Sequence, residues 1–314
     1  MKLALGIDIG GTNTAFGFVD KEGNCIAESK LPTQAKTDLK EYITDLVTEI
    51  NRVFEPLKAE HEFIGIGIGA PNANYLTGTI DNAANLQWKG TIHLIDLLKE
   101  HFDMPIYINN DANAAAIGEM VYGNAKGMKN FVTITLGTGL GSGIVVDGKV
   151  LYGHDGLAGE MGHVTVTRHG RECGCGKKGC LETYVSATGV KRTVYKMLAK
   201  HNYESKLRDI PFNELNAKIV HNEALSGDAI ALETFNYTGK RLGQALADLV
   251  VITNPEAIFL LGGLAKASEY IFGPTREAME ANMMTIFKGK VKLLPSGIDT
   301  NAAILGASAM AWEI

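Results

Sequence analysis

One order of elements occurs twice in this chain, and it constrains the fold more than any other feature. Residues 3–7 read as a buried strand, residues 8–13 (Asp-Ile-Gly-Gly-Thr-Asn) break it, and residues 14–19 and 24–30 supply two more strands around the turn at 20–23. A helix is predicted over 37–57, with Leu39, Ile43, Leu46, Val47, Ile50 and Val53 on one face. A strand at 63–68, a helix at 93–102 and a strand at 106–108 follow. The order then restarts: strand 131–136, the glycine turn 137–143, and strands 144–146 and 149–152. Helix 228–252, strand 257–261, helix 265–284, strand 291–294 and helix 301–312 end the chain, with further helices inserted over 185–224. Two matching halves, each with a glycine turn between its first and second strands, predict two stacked α/β domains with a cleft between them. The expected division is 1–112 plus 301–314 for a small domain and 113–300 for a large one, the latter carrying an inserted stretch at 160–182.

The two turns suggest what the duplication serves. Gly10-Gly11-Thr12, followed by Asn13, and Gly137-Thr138-Gly139 present bare backbone N–H groups and hydroxyls where the chain reverses. Such turns let phosphate oxygens approach the backbone. A hairpin would also want glycine at either place, but matched positions in two halves favour phosphate. Asp8 closes a buried strand where a carboxylate would orient Mg²⁺ or its waters. Neither turn has the spacing of a P-loop or of a dinucleotide-binding fingerprint.

The stretch 160–182 reads Glu-Met-Gly-His, nine residues, then Cys-Gly-Cys-Gly-Lys-Lys-Gly-Cys-Leu-Glu. Three of the four cysteines, Cys173, Cys175 and Cys180, fall within eight residues. With His163 they form the Cys₃His set that fills a tetrahedral Zn²⁺ and leaves no open position, so the metal would be structural. His154 and His169 are rival fourth ligands, and a disulfide with a spare thiol is the alternative use of the sulfurs. Glu160 and Glu182 flank the set, so one ion would bring two carboxylates together in an arrangement suited to a ligand rich in hydroxyls.

This motif, Glu160-x-Gly-His163 followed by Cys-x-Cys-Gly-x-x-Gly-Cys-x-Glu182, resembles the signature of the ROK family of repressors, open reading frames and kinases. The resemblance implies the actin/hexokinase-like ATPase fold, related to ribonuclease H, and ATP-dependent phosphorylation of a hexose at its 6-hydroxyl. Glucose is the leading substrate; N-acetylglucosamine, N-acetylmannosamine and mannose are rivals, and a sugar-sensing regulator without turnover is the alternative from another class. It further implies Asp111, in Asn110-Asp111-Ala112-Asn113, as catalytic base. Sugar contacts would come from Asn85, Asn110, Asp111, Glu160, His163 and Glu182, and adenosine contacts from Gly262 and Gly263. An Asp at the start of a helix also reads as an ordinary N-cap. Two positions depart from the family pattern, Asn72 for a glycine and Ala84 for a proline. Both bear on which hexose fits. A homodimer is implied by the resemblance alone.

Composition excludes other classes. With 46% hydrophobic and 21% charged residues and a net charge of −5, the chain has no basic field for nucleic acid. No apolar run approaches the roughly 18 residues of a membrane span. The strand-like start shows no signal peptide and no helix-turn-helix ahead of it, so a cytoplasmic kinase is expected and a DNA-binding member is not.

Overall fold

The computed structural model describes residues 1–35, 37–83, 85–298 and 301–313. Ala84, the expected domain boundary at residue 300 and the last residue of the small domain lie outside them. In chain order the first elements are strands β1 (Lys2–Ile9), β2 (Asn13–Val19) and β3 (Cys25–Pro32), helix α1 (Leu39–Phe54) and strand β4 (Glu62–Ala70). Short strands β5 (Ala73–Asn74), β6 (Thr79–Asp81) and β7 (Thr91–Ile92) precede α2 (Leu94–Lys99), β8 (Ile106–Asn110) and α3 (Asp111–Val121). Strands β9 (Phe131–Leu136), β10 (Leu140–Val146) and β11 (Lys149–Val150) follow. Helices α4 (Glu182–Val185), α5 (Ala187–Lys200), α6 (Ala217–Leu225) and α7 (Ala229–Thr253) come next, then β12 (Ala257–Leu261), α8 (Glu269–Asn282), β13 (Lys292–Pro295) and α9 (Ala302–Glu313).

Backbone contacts divide the chain into two compact units, 1–128 with 150–158 and 296–314, and 129–149 with 159–295. Each unit holds a five-stranded sheet, ordered β3-β2-β1-β4-β8 in the first and β11-β10-β9-β12-β13 in the second. In each, the first strand pairs antiparallel with the second and parallel with the fourth. The repeat read from the sequence is therefore a repeat of topology.

In the first unit the glycines that alternate with isoleucine along β1 and β4 have a packing reason. A Cβ on Gly6 would collide with the Ile304 carbonyl, and one on Gly67 with the Ala307 carbonyl, because α9 lies directly on these strands. The opposite face buries Leu5, Ile7, Ile66 and Ile68 with Tyr42, Leu46 and Ile50 of α1. In the second unit α7 carries Phe235, Leu242, Leu246 and Val250 into a core shared with Val132, Ile134, Ile258 and Leu260. Among the described residues, no helix is long and apolar enough to cross a membrane.

Several local expectations are revised. The three-stranded sheet β5–β7 leaves no mark in the sequence, because strands of two or three residues carry no periodicity. The helix expected over 265–284 is interrupted: a 3₁₀ turn at Ala265–Ala267 ends on Ser268, and α8 starts after it. Ser268 has φ 54° and ψ −131°, and its side chain makes no capping bond. That backbone region is glycine's territory and is strained for any residue with a Cβ. Ser268→Gly is expected to stabilise the fold by about 1 kcal/mol, read as a higher Tm in thermal unfolding. An unchanged or lower Tm would contradict the strain.

Candidate active site

In the first unit, β1 delivers Asp8 to the turn that begins at Gly10. The Gly10 N–H donates to the Asn13 carbonyl at 3.0 Å, and the Thr12 carbonyl accepts from the Thr33 N–H at 2.9 Å. Behind the turn, the Thr14 hydroxyl shares hydrogen bonds with the Thr33 hydroxyl at 2.9 Å and the Tyr42 hydroxyl at 2.7 Å, all three buried. A buried hydroxyl network with every member partnered holds a turn rigidly. Thr12 and Asn13 remain exposed, and the open side of Gly11 faces the Asn85 backbone, so the first phosphate turn and Asn85 are neighbours.

Asp111 opens α3 at the end of β8. The cap is Asn110, whose Oδ1 accepts from the Ala112 N–H at 2.9 Å, so capping falls to the residue before Asp111. The Asp111 side chain is exposed, yet protein packs densely around its carboxylate and the lost hydration raises its pKa. A bond from the Ala112 N–H at 2.8 Å pulls the other way. Asp8 is raised to about 6, first by burial and then by the negative charge of Asp111. Two carboxylates that repel each other form a place where a hard cation is favourable, and this fits Mg²⁺.

Sequence reasoning missed the support behind Asp111. Asn109, buried, donates from Nδ2 to the Tyr152 hydroxyl at 2.9 Å, and its Oδ1 accepts from the Asn110 N–H at 3.0 Å. Tyr152 in turn stacks flat on Tyr75, with ring centroids 4.5 Å apart. The partners stand 43 residues apart in the chain, beyond the reach of any local pattern. Asn72 lies in the left-handed region, φ 52°, which asparagine tolerates nearly as glycine does, and its amide donates to the Asp81 carbonyl at 3.1 Å. The departure at Asn72 therefore keeps the backbone that a glycine would give.

In the second unit the turn Gly137–Gly139 is pinned from both sides. The Ala187 N–H donates to the Gly137 carbonyl at 2.8 Å, and Glu182 Oε2 accepts from the Leu140 N–H at 3.0 Å. Thr138 stays exposed. The Gly262–Gly263 pair lies against the same strand end: Gly262 has φ 96°, and a Cβ there would meet the Leu136 carbonyl at 2.6 Å. Gly262 thus has a structural reason of its own, whereas nothing approaches the open side of Gly263.

The four proposed metal ligands also meet in this unit. One atom each from His163, Cys173, Cys175 and Cys180 lie within 4.8 Å of one another. The Cys175 and Cys180 sulfurs are 3.7 Å apart, and Cys173 Sγ lies 3.6 Å from His163 Nδ1. A tetrahedral Zn²⁺ at ordinary bond lengths requires edges of about 3.8 Å between sulfurs and about 3.6 Å from sulfur to nitrogen. The donor set fits zinc, and among the described residues His163 is the histidine that joins the three sulfurs. Its other nitrogen, Nε2, points toward Glu160, 3.9 Å from Oε2. Another residue that sequence reasoning missed, Arg171, ties the knuckle to the helices behind it. Its guanidinium donates to the Thr183 and Gly189 carbonyls and the Thr193 hydroxyl, and stacks over the Tyr184 ring at 4.6 Å. Asp8, the first turn, Asn85, Asn110 and Asp111 therefore belong to the first unit. Glu160, His163, Glu182, the second turn, Gly262, Gly263 and the sulfur ligands belong to the second.

A duplicated sheet of this order, with a glycine turn after the first strand of each copy, defines the actin/hexokinase-like ATPase fold. The ROK family model matches residues 4–314, and the chain belongs to the ROK family. It is 36% identical over 307 residues to a glucokinase of Halalkalibacterium halodurans, which covers 96% of this chain and 92% of that protein. The solved ROK family glucokinase of Streptomyces griseus, in complex with glucose and AMPPNP, is similar with a TM-score of 0.81 and 29% identity, covering 99% of this chain and all of that one. A ROK family transcriptional regulator, a homologue of the E. coli MLC protein, is similar with a TM-score of 0.87 and 25% identity over 99% of this chain and 78% of that one.

Proposed function

We propose that this chain is an ATP-dependent hexose kinase that phosphorylates the 6-hydroxyl, with glucose its first substrate. The observation that carries the reading is Asp111: an accessible carboxylate of raised proton affinity at the end of strand β8, beside Asp8 and on a helix capped by another residue. Similarity to glucokinases over nearly the whole chain supports it.

The proposed chemistry is in-line transfer. As the sugar O6 forms its bond to the γ-phosphorus and the bond to the ADP oxygen breaks, Asp111 takes the hydroxyl proton. The turns Gly10–Asn13 and Gly137–Gly139 hold phosphate oxygens through backbone N–H groups other than those of Gly10 and Gly137, which bond within the turns, and Gly262 and Gly263 leave room for adenosine. Asn85, Asn110, Glu160, His163 and Glu182 hold sugar hydroxyls, His163 through Nε2, since Nδ1 faces the Cys173 sulfur and would serve the metal. Asp8 would hold Mg²⁺, which supplies charge neutralisation on the phosphates when bound. His163, Cys173, Cys175 and Cys180 would hold Zn²⁺, which would order the sugar-binding stretch. Work in the cytoplasm as a homodimer completes the proposal. A sugar-responsive regulator is the second reading, favoured by the likeness to the MLC-type regulator. A panel of hexoses and N-acetylhexosamines with ATP and Mg²⁺, followed by ADP release, separates the two. Turnover highest with glucose supports the kinase, and no turnover with any sugar that binds supports the regulator.

The Asp8–Asp111 pair gives the pH dependence a direction. Asp8 must be ionised to act, and its pKa stands at about 6, so kcat/KM is expected to fall as pH drops through about 6. Higher Mg²⁺ should move that limb to lower pH, because the cation favours the ionised form. A profile flat to pH 5 would contradict the assignment. The stability effect has the opposite sense. The folded pKa lies above the unfolded value, so an ionised Asp8 weakens the fold above pH 6, and the penalty fades as pH falls toward 4. Asp8→Asn should stabilise the protein at pH 7.5 without Mg²⁺ by on the order of 2 kcal/mol while abolishing turnover.

A further inference from the structure

Glu182 stands two residues beyond a zinc-ligand cysteine, and its carboxylate is engaged on both sides. Oε2 accepts from the Leu140 N–H at 3.0 Å, the first backbone donor after the second phosphate turn. Oε1 lies 3.8 Å from Cys173 Sγ. The turn lies against this carboxylate: a Cβ on Gly139 would come within 2.5 Å of Glu182 Oε2, so a side chain there pushes the carboxylate aside. Immediately after the short helix that Glu182 opens, the Ala187 N–H holds the Gly137 carbonyl at 2.8 Å. The two ends of the turn are thus fastened by one six-residue span, 182–187, that starts two residues past Cys180.

We propose that Glu182 is a positioning residue for the nucleotide as well as a sugar ligand, so that one carboxylate joins the zinc knuckle, the sugar hydroxyls and the phosphate turn. The proposal rests on the hexose kinase reading. The acceptor capacity of a single carboxylate is divided between a sugar O–H and the Leu140 N–H. Anything that moves Glu182 therefore moves the turn, and anything that distorts the turn at Gly139 moves the sugar ligand. Binding of each substrate is then sensitive to the other's site through this side chain, and the sensitivity is reciprocal.

The test is calorimetric and needs no turnover. Zinc-loaded full-length protein is titrated with Mg-AMPPNP without sugar, and separately with glucose without nucleotide. Glu182→Ala removes the acceptor and should weaken AMPPNP binding roughly tenfold, the usual size of one lost hydrogen bond to a charged group. Glu182→Gln keeps an acceptor for the Leu140 N–H and should leave AMPPNP binding within about twofold while still weakening glucose. Gly139→Ala, placed in the phosphate turn, should weaken glucose at least about fivefold by displacing Glu182. If Glu182 serves the sugar alone, Glu182→Ala leaves AMPPNP binding unchanged and Gly139→Ala leaves glucose binding unchanged, and the proposal is overturned. Should Glu182→Ala shed zinc, Gly139→Ala, which lies outside the knuckle, decides by itself. Wild-type protein that binds neither ligand would overturn the kinase reading instead, a separate result.

Discussion

Asp111→Asn is expected to lower kcat roughly a thousandfold while glucose binds with nearly unchanged affinity. The substitution is close to isosteric. It leaves the α3 cap in place, since Asn110 supplies it, and the Ala112 N–H keeps an acceptor on the Asn110 side chain. Helix α3 and the strand before it should therefore survive, and circular dichroism and Tm should stay near wild type. What is lost is a single proton acceptor. Phosphoryl transfer draws most of its rate from positioning and charge neutralisation, so some turnover persists through the phosphate turns. Single-turnover kinetics with saturating ATP and Mg²⁺ measure the loss. Near wild-type kcat would remove Asp111 as the base and leave it a mere neighbour of the cap.

Removal of zinc comes next in size. Cys175 is an exposed ligand, so Cys175→Ser forfeits little packing and its effect reports on the metal. Between His163 and Cys180 the chain has few apolar anchors: Val164 is 49% exposed, and order rests on short backbone bonds and on Arg171. Four ligand atoms that crowd within 4.8 Å need an ion to share, since thiols and an imidazole offer each other only weak hydrogen bonds. Without it the knuckle should loosen and displace His163 and Glu182. A shift of about 1 Å in such groups commonly weakens productive binding by about a hundredfold. Cys175→Ser is thus expected to contain no zinc by atomic absorption and to raise the KM for glucose by about that factor. Native KM in zinc-free protein would sink the structural role given to the metal.

The parts of the site legible in the sequence are those written locally or written twice. The glycine turns at 10–12 and 137–139 could be read because the same order of strands surrounds both, and the topology repeats with it. The ligand set could be read because four donors lie within eighteen residues, although spacing left His154 and His169 open and only geometry selects His163. Contacts across long sequence separation could not be read. The bond from Asn109 to Tyr152 spans 43 residues, and that from Leu140 to Glu182 spans 42. The reason for Gly6 in β1 and Gly67 in β4 could not be read either, since the helix that lies on them, α9, comes some 240 to 300 residues later. Ser268 was missed for another reason: a serine in a glycine conformation leaves no trace in a pattern of apolar spacing.

The most direct measurement is phosphorus NMR of a mixture of glucose, ATP, Mg²⁺ and the zinc-loaded protein. The account predicts a phosphate ester on C6 that accumulates in step with ADP and is nearly absent with Asp111→Asn. ADP formed without a sugar phosphate, or glucose bound with no ester formed, would contradict it.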